Sequence, residues 1–260
     1  MTSIKEQVAV PRRIFQTWKE KQVTNTVLKG WQSSWKETNP TYEYELWDDN
    51  DNRAFVEAYF PEMLETYNSY DKEIYRADVI RYMYLYTYGG VYADLDFTCL
   101  RSFEAFIGKM EEKGVDVVFG SLGDMDNKEW VHHNIPNAIM ISTAKAGFWK
   151  FVIDALIKTK VKTLPPEIQT GPVFIKMCVS AYVNKNVDVN LLTSVYGCDI
   201  FDQPNADYSS NICITEHALF YPINWDNAKH TQYRSRLYDN DELRVLFPSS
   251  LAVTFWMHSW

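Results

Sequence analysis

Asp94 and Asp96, separated by a single leucine, are the pair of residues in this 260-residue chain best suited to chemistry. Side chains alternate along an extended segment, so both carboxylates would project to one side. At that spacing they repel each other unless a cation lies between or beside them. Mg²⁺ and Mn²⁺ are hard ions that take oxygen ligands, commonly one or two carboxylates plus phosphate oxygens. A cation held this way can neutralise a leaving diphosphate. Such a pair occurs by chance in many proteins, so its surroundings decide. Upstream of it, Ile74 to Tyr88 has apolar and aromatic residues on every side, which predicts a mostly buried helix. Beyond Arg76, its inner charges are Asp78 and Arg81, at i and i+3 on one face. A buried charge is costly unless it is paired or serves a ligand. The helix alone leaves both readings open, a bracing Asp–Arg pair or a ligand-contacting one. The Gly89-Gly90 break, the aromatic Tyr92 and the two aspartates that follow favour a ligand.

The elements that position these residues can be read along the chain. Val8 to Thr17 predicts a first strand, with Pro11 near its entry, and Thr24 to Lys36 a helix capped by Thr24 or Asn25. Tyr42 to Trp47 alternates and is rich in aromatics, as a second strand would be. The run Asp48 to Asn52 predicts a turn and an N-cap for a helix through Tyr59, interrupted at Pro61, with a short helical stretch to about Tyr67. Gly89-Gly90 ends the buried helix, and Val91 to Asp94 follows as a short strand. Further strands are expected at Asp116–Gly120, Ala138–Ser142 and Leu251–Trp256, and helices at Gly147–Lys160 and Gln169–Asn184. Alternating strands and helices imply an α/β fold: a Rossmann-like, mostly parallel central sheet covered on both faces. Ligands of such sheets lie beyond the carboxyl ends of the strands. No repeat, low-complexity tract or long linker divides the chain, so one domain over residues 1–260 is expected.

The composition excludes some partners. A net charge of −8 argues against wrapping nucleic acid and against an electrostatic grip on anionic membrane. Four widely spaced cysteines, with no C-x-x-C pair, make neither a zinc framework nor a disulfide scaffold, and free thiols in a reducing compartment are expected. The first residues lack a signal-peptide core, and no stretch is long and apolar enough for a membrane span. A cytoplasmic protein is expected, bacterial or in a virus-infected host. Aromatic residues reach 15%, which suits sugar and base stacking but suits a core equally well.

The segment R-A-D-V-I-R-Y-M-Y-L-Y-T-Y-G-G-V-Y-A-D-L-D, residues 76–96, resembles the signature of the DXD-containing glycosyltransferases. That group includes fungal initiating mannosyltransferases and inositol-phosphoceramide mannosyltransferases. Pro11 to Trp18 is similar to the family's opening strand, Tyr44 to Asp48 to its second strand, and Trp256 to Trp260 to its closing motif. Asn137–Ser142 and Thr170-Gly171-Pro172 are shorter matches. The resemblance implies a GT-A fold, a Mn²⁺ or Mg²⁺ cofactor, and transfer from a UDP- or GDP-sugar with retention at the anomeric carbon. The acceptor would be a glycan, lipid or protein hydroxyl. Carried over residue by residue, it implies that Gln16, Thr17 and Trp18 face the donor, with Trp18 stacked on the nucleobase. Asp78 and Arg81 would contact the donor sugar and its phosphate side, and Tyr92 would lie near the ribose or phosphate. Asp94 would touch the ribose and the metal, Asp96 would ligate the metal, and Ser259 and Trp260 would close over the diphosphate. Asp78, Arg81, Asp94 and Asp96 would form the catalytic set. The sequence departs from the family where Phe15 replaces the opening His and where Thr254 falls near the closing one. His258 is left as the substitute metal ligand.

Other readings compete. A metal-dependent nucleotidyltransferase could use two aspartates at a strand end, although no G-x-x-x-x-G-K-[ST] loop is present. A non-catalytic carbohydrate-binding protein would suit the aromatics but has no need of the Asp78/Arg81/Asp94/Asp96 set. The four charges could also be purely structural. A glycosidase would need carboxyl groups ~5–9.5 Å apart, flanking the scissile bond, which the Asp94–Asp96 spacing does not suggest.

Overall fold

The computed structural model describes residues 9–123, 134–159, 163–184, 187–202, 208–223, 233 and 238–257. Its framework is a six-stranded sheet of β1 (Arg13–Thr17), β2 (Glu43–Trp47), β3 (Gly90–Ala93), β5 (Val117–Gly120), β6 (Ile139–Ser142) and β7 (Ile212–Thr215), in the order β2-β1-β3-β6-β5-β7. The β1–β2, β1–β3 and β5–β7 pairs are parallel, and β6 runs antiparallel to both of its neighbours. Every strand but β6 therefore points the same way, and the expected α/β, mostly parallel sheet is present. A second, two-stranded sheet pairs β4 (Phe97–Cys99) with β8 (Ala252–Thr254). The strand expected over Leu251–Trp256 thus lies outside the central sheet, and β4 was not anticipated.

Strand alternation sends neighbouring residues to opposite faces. Phe15, Tyr92, Val117, Phe119 and Met140 enter one core with α2 (Asp49–Tyr59), α3 (Leu64–Ser69), α4 (Glu73–Tyr88), α6 (Gly147–Lys158), α8 (Pro172–Asn184) and α9 (Val189–Tyr196). Ile14, Val91, Val118 and Ile141 enter the other, with α1 (Thr26–Thr38), α5 (Glu104–Glu112) and α10 (His217–Phe220). The short α7 (Pro166–Gln169) precedes α8, and α11 (Asn240–Leu246) precedes β8. Phe15, which replaces the family's opening His, is fully buried and stacks on Tyr84 at 3.7 Å between ring centroids. It serves the core. Among the described residues no helix is long and apolar enough to cross a membrane, and all four cysteines are free.

Local chemistry explains the elements nearest the site. The Asn25 side chain accepts from the N–H groups of Val27 and Leu28 and caps α1. Asp48 caps α2 in a reciprocal capping box with Asp51, so the acidic run is already helical rather than a separate turn. The helix α4 buries Ala77 to Leu85 without a break, as its lack of a polar face predicts. It ends at Gly89, whose φ is 66°, and Gly90 follows with φ 92°. A Cβ on Gly90 would stand 2.6 Å from the Arg13 carbonyl oxygen, in the backbone of the neighbouring strand. Gly90→Ala is therefore expected to cost about 3 kcal/mol from strain and overpacking. Gly30→Ala in α1, where a Cβ meets nothing within 4 Å, should be neutral or stabilise by up to about 1 kcal/mol. Urea unfolding of the two variants checks the contrast.

Candidate active site

The central strand β3 delivers Asp94 at its carboxyl end, but the D-x-D pair is not extended. Leu95 and Asp96 form a turn, closed by the Phe97 N–H donating to the Asp94 carbonyl at 3.2 Å, which leads directly into β4. The expectation of two carboxylates side by side on a strand is corrected accordingly. Leu95 is 1% exposed and anchors the turn in a third apolar cluster with Leu100, Val253 and Phe255. The two carboxylates consequently meet different neighbours.

Asp94 faces inward. Its Oδ1 accepts from the Tyr92 hydroxyl at 2.5 Å and lies 3.1 Å from Arg81 Nη1. Asp78 Oδ1 is 3.3 Å from Arg81 Nη2, so one guanidinium joins the carboxylates of the helix and of the strand end. Arg81 also donates from Nε to the Ala77 carbonyl and from Nη1 to the Asn137 carbonyl, and it sits 4.7 Å from the Tyr92 ring centroid. Arg81 is 1% exposed, Tyr92 0% and Asp78 5%. These three side chains thus back the site from inside. Asp78 is further held by Asn137 Nδ2 at 2.8 Å and by the Thr170 hydroxyl at 2.9 Å. Tyr82 ties both of those partners together, donating to the Thr170 carbonyl and accepting from Asn137. Asn137 and Thr170 lie in the short segments similar to the family, but the sequence assigned them no role.

Asp96 remains partly open. Its Oδ2 accepts from the Met257 backbone N–H at 3.0 Å. The β4–β8 register, Phe97 opposite Thr254, brings Met257 to this carboxylate. Thr254, which falls near the position of the family's closing His, accepts from the Trp256 N–H through its hydroxyl at 3.1 Å. His258, Ser259 and Trp260 lie outside the described residues. Among the described residues no group of three His, Cys, Asp or Glu side chains is arranged to hold a metal.

The first strand completes the frame. Gln16 is fully buried, donates from Nε2 to the Asp94 carbonyl at 3.1 Å and accepts from the Tyr44 hydroxyl at 2.6 Å. It fixes the backbone of the site. Thr17 is 2% exposed, donates to the Trp47 carbonyl and accepts from Asn52 Nδ2. Trp18, next along, is only partly buried and packs beside Leu46 and Trp31.

The electrostatics follow from burial. Desolvation pushes Asp78 and Asp94 up to about 6, against the pull of Arg81 on both. Asp96 is also raised by burial, opposed chiefly by its hydrogen bond from the Met257 N–H. Arg81 stays cationic, because the surrounding carboxylates outweigh its own desolvation. Two carboxylates on one guanidinium, with Asp96 two residues further on, leave excess negative charge and hard oxygen donors at the end of a strand. That donor set fits a divalent cation of the Mg²⁺ or Mn²⁺ type.

An Asp–Arg-braced helix thus feeds a paired-aspartate turn at the end of a central α/β strand. Residues 26–113 match the family model described as the glycosyltransferase sugar-binding region containing the DXD motif. Over 105 residues the chain is 42% identical to inositol phosphoceramide mannosyltransferase 3 of Schizosaccharomyces pombe, covering 39% of this chain and 28% of that protein. It is 31% identical over 183 residues to the mannosyl phosphorylinositol ceramide synthase CSH1 of Saccharomyces cerevisiae, covering 66% of this chain and 43% of that one. A glycosyltransferase of Acanthamoeba polyphaga mimivirus, L373, is 23% identical over 217 residues, covering 81% and 82%. The chain spans less than half the length of the fungal relatives.

Proposed function

We propose that the chain is a metal-dependent, retaining glycosyltransferase of the GT-A type, moving a hexose from a UDP- or GDP-sugar to an acceptor hydroxyl. The joining of Asp78 and Asp94 through Arg81 at the end of β3, with Asp96 two residues beyond, carries this reading. Glycosyltransferase relatives support it. Asp94 and Asp96 are the residues that would hold Mn²⁺ or Mg²⁺, with His258 as the third candidate ligand. A cation bound there supplies charge neutralisation for the donor diphosphate.

The chain's own residues divide the remaining work. Asp96, partly open, faces the donor directly, and Trp18 offers a ring face to the nucleobase. Asp78, Arg81, Tyr92 and Gln16 act through Asp94, holding its carboxylate and its backbone in place. Such preorganisation spares the site reorganisation as charge develops on the leaving group. Thr17 keeps the end of β1 in register, and Ser259 and Trp260 would close over the diphosphate. In the transfer, the bond from the anomeric carbon to the phosphate oxygen breaks and a bond to the acceptor oxygen forms on the same face. The acceptor's proton passes to the departing phosphate oxygen, so no protein base is required. Nucleotide release from UDP- and GDP-hexoses, with Mn²⁺ and with chelator, tests the reading. Release from one nucleotide class, only with metal and with an unchanged anomeric configuration in the product, is expected. Release that ignores the chelator would remove the metal from the account.

A further inference from the structure

A cavity of about 410 Å³ lies on the same edge of the sheet as the aspartates, lined by Ser121, Gly123, Ile214, Thr215, Glu216 and His217. Its place follows from the strand register. Tyr92, Met140, Phe119 and Ile214 form one row across β3, β6, β5 and β7. β3, β5 and β7 run in the same direction. Two residues beyond that row stand Asp94 on β3, Ser121 on β5 and Glu216 on β7. The cavity is thus level with Asp94 and two to three strand spacings away, about 10–14 Å. A transferred hexose and one acceptor ring, laid end to end from the diphosphate, span such a distance. The volume is within the range of small-molecule sites.

The lining chemistry indicates the occupant. The Ser121 hydroxyl donates to the Thr215 carbonyl at 2.8 Å, which leaves its oxygen free to accept. The Thr215 hydroxyl is shielded from solvent, so the accessible polar groups of the lining come from its neighbours. Glu216 and His217 are exposed beside them, adding an acceptor of two hydroxyls and a group that both donates and accepts. Among the described lining residues there is no Lys or Arg, and their hydroxyl, carboxylate and imidazole groups suit the vicinal hydroxyls of a sugar. We infer that this cavity, about 10–14 Å along the strand-end edge from Asp94, is the acceptor subsite and takes a neutral sugar ring, bound by Ser121, Glu216 and His217. The inference rests on the transferase reading above and adds the class of acceptor to it.

Saturation-transfer NMR with methyl gluco-, manno- and galactopyranosides, on protein loaded with nucleotide and Mn²⁺, tests the site. Inorganic phosphate serves as the anionic competitor. At least one methyl hexoside is expected to bind the wild type and to bind Glu216→Ala and His217→Ala about tenfold more weakly. Both side chains are exposed, so nucleotide affinity should be unchanged. Equal hexoside binding by wild type and variants, displacement by phosphate, or nucleotide binding without any hexoside binding would each overturn the subsite. Hexoside binding that depends on Glu216 and His217 in a protein that takes no nucleotide would keep the sugar site and sink the transferase reading.

Discussion

Arg81→Met is expected to destabilise the protein by about 3–5 kcal/mol, because it strands two buried carboxylates at once. Asp78 and Asp94 both lean on this guanidinium, and the carbonyls of Ala77 and Asn137 lose a donor with it. The loss should depend on pH in a defined direction. In the wild type burial already holds Asp78 and Asp94 at about 6 despite Arg81. Without the cation both are raised further above their unfolded values, near 4. A raised carboxylate takes up its proton more readily when folded, so its contribution to stability falls as pH rises from the unfolded value through the folded one. The gap between variant and wild type should therefore be smallest near pH 4 and widen through pH 6 and above. Asp78→Asn combined with Arg81→Met should lose less than the two single changes together, because one stranded charge has been removed. Guanidinium unfolding across pH measures all of this. A gap independent of pH would mean that the carboxylates do not depend on Arg81.

Asp96→Ala should do the opposite: leave the fold nearly intact and remove the activity. The side chain is partly open, and its loss leaves a Met257 N–H without its acceptor, worth about 1 kcal/mol. Transfer should fall by at least about 10²–10³-fold, the scale for losing one stabilising group at a developing charge. Activity that persists at the wild-type level and still responds to metal would place the cation elsewhere. Asp94→Ala is the poorer probe, since it also removes a partner of Arg81 and Tyr92.

Much of this site could be read in the sequence because its key elements are local. The all-round apolar pattern of α4, its Gly-Gly end and the short strand after it occupy consecutive residues. Each feature there follows from helix burial or from the positive φ of Gly89 and Gly90. What was missed depends on contacts between distant segments. Asn137 and Thr170 reach Asp78 across 59 and 92 residues, and no spacing rule reveals them. β4 has three residues, too few for periodicity to show, and it exists because β8 returns to pair with it. The same pairing turns Asp96 away from the line of β3 and toward Met257, which an extended reading of D-x-D could not foresee. The antiparallel course of β6 is likewise set by its neighbours. Of the two readings that the helix pattern left open, the described contacts are those of the bracing pair, with Arg81 joining Asp78 of α4 to Asp94.

Calorimetric titration of UDP- and GDP-sugars into wild type and Asp96→Ala, each with and without Mn²⁺, tests the central claim most directly. The account predicts that one nucleotide class binds the wild type only when Mn²⁺ is present and that Asp96→Ala, still folded, does not bind it. Binding of equal strength without metal, or binding unaffected by the substitution, would contradict a donor site built on the Asp94–Asp96 turn.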